Sequence, residues 1–166
     1  MLRRVALVLA AVLAAGAPVP APVWAWPSDS HAVLRGFEAP ATPYAAGHRG
    51  VDTAAATGDP VHAVADGVVA FAGTVAGRGA VAIDHDGVRS SVEPVEPAVR
   101  TGERVQQGEV IGHLSAGGAH PAGVLHLGAR VRVGTHAGAG WAYVSPLLYL
   151  GGATRAVLLP LSAWPG

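Results

Sequence analysis

The sequence predicts a mostly β protein, a compact antiparallel sandwich or barrel-like fold with no substantial helix in its folded part. Three observations carry this reading. Short runs of alternating apolar residues, rich in Val and Ile, recur from about Gly47 to Leu150. Gly and Asp-Gly punctuate them ("ADG", "GRG", "HDG", "GG"), as hairpin turns require. No stretch of that region shows an amphipathic helical period.

The elements follow in order. "MLRR" and the apolar run "VALVLAAVLAAGA" lead into "PVPAPVWA". The run is shorter than the roughly 20 residues that span a bilayer, and Val23 and Ala25 are small residues suited to a cleavage site. Residues 1–25 therefore read as a secretory signal peptide cut after Ala25, the alternative being an uncleaved anchor. Residues 26–46 are rich in Pro and Ala and read as an extended arm with one strand-like piece, "HAVLRGF". Residues 47–150 form the β domain, with strands expected in "PVHAVADGVVAFAGTV", "GAVAIDH", "GVRSSV", "EVIGHLS" and "VLHLGARVRV". Residues 151–166 form a tail in which "AVLLPL" reads as one more docked strand or a docked tail.

Between the middle strands lies "VRTGERVQQGEVIG", two glycines six residues apart with apolar neighbours. The pattern implies two tight turns joined by a short strand, a hammerhead like that of lipoyl and biotinyl carrier domains. Those carriers attach their cofactor to a lysine. All 11 basic residues here are arginine, which excludes a swinging-arm carrier.

Charge and cysteine narrow the classes further. Of 11 basic residues, loss of Arg3 and Arg4 with the leader leaves nine against 11 acidic ones, a formal charge of −2. That balance offers no field to hold nucleic acid or an anionic membrane, and the mature chain has no transmembrane segment. Cysteine is absent, so stability outside the cell rests on packing, with or without a metal, rather than on disulfides. The Ala-, Gly-, Val- and Pro-rich, lysine-free composition fits a high-GC genome.

Two stretches carry candidate chemistry. "GHRGVD" sets His48 and Asp52 four residues apart, on one side of an extended segment. Imidazole and carboxylate are ligands that zinc accepts. The same pair also serves as a hydrogen bond that orders a loop. "GVLHLGAR" places His126 in an apolar strand, either as a third ligand or as a buried ring with no chemistry.

Taken in order, "GHRGVD", "GDPVHAVADGVVAFAG", "VAIDHDG", "VRTGERVQQGEVIG", "LHLGARV" and "YVSPLLYL" resemble the lysostaphin- or LytM-type zinc metallopeptidases, which cut the peptide part of bacterial peptidoglycan. The resemblance covers roughly residues 47–150. It implies that type of β fold, a zinc site of His48, Asp52 and His126 with an open fourth position for water, secretion to the cell wall, and peptidoglycan as the partner. It also implies two further catalytic histidines, at positions occupied here by Val124 and Pro94. Val124 lies two residues before His126, so both leave the same strand face, and an isopropyl group moves no proton. Glu93 and His120 are the candidate substitutes. On a regular strand Glu93 would point away from the face assigned to position 94, so a bulge would be needed to turn it inward. His62, His85 and His113 read as structural or solvent-facing, and His31 and His136 as arm and loop residues.

Three functions remain open on these grounds. One is an exported zinc hydrolase of peptidoglycan cross-links. Another is a non-catalytic wall-binding domain or activator of a partner murein hydrolase. The third is a structural β domain without metal.

Overall fold

The structure is a computed structural model that describes residues 23–42, 45–117, 121–134 and 140–151. Eleven strands follow one another: β1 (Val33–Arg35), β2 (Gly50–Ala54), β3 (Pro60–His62), β4 (Gly67–Val75), β5 (Arg78–Asp84), β6 (Val88–Glu93), β7 (Val95–Pro97), β8 (Arg104–Val105), β9 (Val110–Leu114), β10 (Val124–Val133) and β11 (Gly140–Val144). One 3-10 turn, Pro146–Leu148, is the only helical element among the described residues. The large antiparallel sheet runs β1-β2-β10-β6-β5-β4-β8, with β11 also paired to β10. A small sheet, β3-β9-β7, packs on it.

Period-two alternation explains the layering. On β10 the odd positions Leu125, Leu127 and Ala129 are fully buried and join Val51, Val81, Ile83 and Val92 in the core. Val61, Val95, Ile111 and Leu114 of the small sheet close that core from the other side. The even positions of β10, from Val124 to Arg132, face away from it. The sheets approach closely where β5 passes β7, and a Cβ at Gly79 would overlap the Val95 carbonyl.

The hammerhead forms as expected. Gly102 and Gly108 adopt positive φ (89° and 82°), and β8 links the two turns. Each turn ends in a glutamate whose carboxylate accepts a hydrogen bond from the backbone N–H three residues earlier: Glu103 from Arg100 at 2.9 Å, and Glu109 from Gln106 at 2.8 Å. The repeated Gly-Glu pair thus supplies both the left-handed backbone and a cap.

The N-terminal segment differs from a free arm. β1 adds to the sheet edge beside β2, and Glu38 and His48 exchange two backbone hydrogen bonds of 2.9 Å. Trp24 is 1% exposed and stacks on Tyr149 with ring centroids 4.9 Å apart. Its backbone N–H donates to the Tyr149 carbonyl at 2.7 Å, and its backbone carbonyl accepts from Gly151 at 2.8 Å. Among the described residues the folded unit thus reaches back to Trp24, well before Gly47, and a cut after Ala25 would remove a core side chain. Residues 1–22 of the expected leader and the tail from 152 on lie outside the described residues, as do His120 and His136. Trp24→Ala should cost about 3–5 kcal/mol of stability, as for other buried aromatics. Trp24→Phe should cost less, because among the described residues the indole N–H has no partner to lose. Urea unfolding of the two variants checks the order.

His85 is 3% exposed and structural, as expected. Its Nδ1 contacts the Asp66 carbonyl and its Nε2 the Ser90 hydroxyl, both at 2.8 Å. Burial holds its pKa below the ordinary imidazole value. A folded-state pKa that is depressed means the unfolded chain takes up the proton first. Stability is therefore full above about pH 6.5 and falls as the pH drops through and below it. Melting temperatures of metal-chelated protein between pH 7.5 and 5 should decline, and decline less in His85→Gln.

Candidate metal centre

The centre of the large sheet brings distant residues into register. His126 of β10 lies opposite Asp52 of β2 on one side and opposite Glu93 of β6 on the other. Directly opposed residues share a face. Asp52, His126 and Glu93 thus form one row on the face away from the core, and His48 enters from the segment just before β2.

Three of these side chains converge. His48 Nε2 lies 3.0 Å from Asp52 Oδ1 and 3.1 Å from His126 Nδ1, and His126 Nδ1 lies 2.7 Å from the same Asp52 oxygen. His48 and Asp52 are buried, at 5% and 7% exposure. His48 Nδ1 sits 2.6 Å from the Gly36 carbonyl. A carbonyl only accepts, so Nδ1 carries a proton, and Nε2 of the neutral ring presents its lone pair to the cluster. A lone pair 3.0 Å from a carboxylate oxygen is unfavourable unless a proton or a metal ion lies between them. Tetrahedral zinc with bonds near 2.0–2.1 Å sets its ligand atoms about 3.3 Å apart. The donor set, its spacing and the backbone carbonyl that orients the imidazole all fit such an ion.

The supporting contact from Gly36 was not legible in the sequence, because a carbonyl carries no residue-type signal. It belongs to the N-terminal segment, which Glu38 ties to His48. Arg35 hydrogen-bonds the Glu38 side chain at 3.0 Å and holds its carboxyl below the usual range.

Glu93 needs no bulge to reach the site face. The β10–β6 pairing is regular from Val131↔Val88 to His126↔Glu93, so position 93 rather than 94 is on that face. Pro94 is buried beyond the end of β6. Arg78 Nε stands 3.0 Å from Glu93 Oε2, held by charge more than by an aligned hydrogen bond. Val124 shares the face with His126, opposite Ala54, and is 8% exposed. The remaining described histidines lie elsewhere: His31 stacks on Trp26, His62 is on β3, and His113 is exposed on β9.

Beside the cluster the face is lined by small residues. Gly50 and Gly128 oppose each other, with Ser91 next across β6. A Cβ at Gly50 would collide with the Leu127 carbonyl and the His126 ring. Gly50 is therefore required for the ring to lie where it does.

Comparison with known proteins agrees with this architecture. A model of peptidase family M23 matches residues 46–138. An uncharacterized protein of Mycobacterium tuberculosis is 44% identical over 142 residues, 83% of this chain and 55% of that protein. The chain thus spans about half the length of that relative. A DD-carboxypeptidase/endopeptidase of Neisseria meningitidis is 40% identical over 86 residues, 51% of this chain and 20% of the relative. Among solved structures, Helicobacter pylori Csd3 shares the fold, with TM-score 0.63 and 23% identity over 78% of this chain and 35% of the other. A zinc-containing peptidase from Vibrio cholerae aligns with TM-score 0.55 and 26% identity over 64% of this chain and 36% of the other. The family match covers more than half of the chain and takes in all three converging side chains, so the chain belongs to peptidase family M23, the lysostaphin and LytM type of metallopeptidase.

Proposed function

We propose that this protein is an exported zinc metallopeptidase that hydrolyses peptide cross-links of peptidoglycan. The observation that carries the reading is the convergence of His48 Nε2, Asp52 Oδ1 and His126 Nδ1 within 3.1 Å of one another. The Vibrio protein is by its title a zinc-containing peptidase, and the Neisseria relative a carboxypeptidase and endopeptidase. Export rests on the leader-like residues at the N-terminus. The burial of Trp24 favours a leader that ends before it. Among the described residues no helix is long and apolar enough to cross a membrane.

His48, Asp52 and His126 would hold the zinc. When bound, zinc polarises the peptide carbonyl and brings the pKa of its water to about 7. The chain supplies the rest. The Gly36 carbonyl and the Glu38 bridge keep the His48 ring oriented. Glu93, on the other side of His126 from Asp52, takes a proton from the attacking water and returns it to the leaving amine. Arg78 positions its carboxylate. Val124 gives the site an apolar wall that excludes water without moving a proton.

The test is digestion of purified peptidoglycan by the zinc-loaded protein, with released peptides followed by mass spectrometry. New amino termini at stem or cross-link peptides are expected. Stoichiometric zinc with no release at large enzyme excess would reject the peptidase and leave a metal-binding wall domain. Protein that takes up no zinc at neutral pH would reject both.

A further inference from the structure

The site face continues beyond the metal cluster to a group of arginines and aromatic rings. Arg130 and Arg132 occupy the next even positions of β10. They lie opposite Tyr143 and Trp141 of β11, so all four share the face of His126. Arg132 Cζ is 5.2 Å from the centroid of the Trp141 ring, and Arg130 Cζ is 5.7 Å from that of Tyr143. Arg89 also lies over Trp141, at 4.6 Å, but Asp84 engages it with two hydrogen bonds. Arg130 and Arg132 have no ion pair of that kind among the described residues. The stretch between this group and the cluster is floored by Gly128, Gly50 and Ser91, which raise no side chain large enough to block a ligand.

A guanidinium held over an aromatic ring spends little of its N–H capacity on that ring. Its N–H groups form a fork shaped for a carboxylate, and no described residue forms an ion pair with it. Four residues along a strand place Arg130 about 13 Å from His126. An extended peptide covers that span in three to four residues.

We propose that Arg130 and Arg132, backed by Tyr143 and Trp141, form a carboxylate-binding subsite. It would select peptides that carry a free carboxylate about 13 Å from the bond at the metal cluster. The proposal rests on the peptidase reading for the identity of that bond, but not for the existence of the subsite.

Binding and cleavage separate the two claims. The probes are a synthetic acidic pentapeptide with free glutamyl and C-terminal carboxylates and its fully amidated counterpart, titrated calorimetrically against the full-length protein. The acidic peptide should bind about tenfold more tightly, and the preference should weaken with salt. The double substitution Arg130→Gln, Arg132→Gln should abolish the preference with zinc content unchanged. Arg130→Lys, Arg132→Lys, which keeps charge but loses the fork, should retain a reduced preference and serves if the glutamine variant fails to fold. Equal binding of the two peptides by the native protein would overturn the subsite. So would a preference that survives in both double variants, since the carboxylate would then sit elsewhere, at the metal cluster for example. A carboxylate preference without wall hydrolysis upholds the subsite and rejects the peptidase. Hydrolysis without the preference does the reverse.

Discussion

Asp52→Ala is expected to abolish zinc retention and with it peptide release from peptidoglycan. Asp52 Oδ1 is the point at which both imidazoles meet, 3.0 Å from His48 Nε2 and 2.7 Å from His126 Nδ1. Losing even an outer partner of a metal ligand weakens affinity by about 10–100-fold. Losing one of three ligands should exceed that, leaving the metal substoichiometric after dialysis and the hydrolysis rate below detection. A second readout does not need activity. Zinc at about a hundred times its dissociation constant should stabilise the native protein by about 2.7 kcal/mol, since binding favours the folded state by mass action. The same addition should leave the melting temperature of Asp52→Ala almost unmoved. A variant that keeps one zinc per chain and a native thermal shift would place the metal elsewhere.

Glu93→Gln is the second large effect. Glutamine keeps the size and the place in the row with His126 and Asp52 but removes the basic oxygen. A positioned acid or base contributes about 10²–10⁴ in rate. A fall in kcat of that size, with KM and zinc content near native, is the expected result. Arg78→Met should give a smaller loss, because it frees the Glu93 carboxylate from the guanidinium 3.0 Å away without removing it. An unchanged kcat in Glu93→Gln would remove Glu93 from the chemistry while leaving the metal centre intact.

The strands with strong alternation were legible. β4, β5, β6, β9 and β10 fall within the runs that period two picks out, because one face of each is buried and the other is not. β7 was missed because Pro94 precedes it and Pro97 is its last residue, and proline argues against a strand by removing ladder donors. β11 was missed because "GWAYV" is short, half-exposed and set off by glycine. The ligand candidates were legible as residue types at family spacing, and their convergence depends on register. Register is also why Glu93 was assigned to the wrong face. Whether position 93 or 94 shares a face with His126 is settled by pairing with β10, and no local pattern carries that information. Trp24 was hidden for a different reason. It lies in a Pro- and Ala-rich stretch beside a leader-like run, where composition argues against a core position, and its partners Tyr149 and Leu150 are far along the chain.

That same Trp24 has a consequence for how the domain is joined to other sequence. Its backbone runs parallel to Leu150 as a single bridge, so the first and last described stretches of the chain lie side by side. A module whose ends meet can be carried inside or beside another domain without stretching its own sheets. Sequence grafted at residue 23 or 151 would start from one corner of the described domain. The metal face, built from the middle of β2, β6 and β10, would keep its geometry whatever is grafted there.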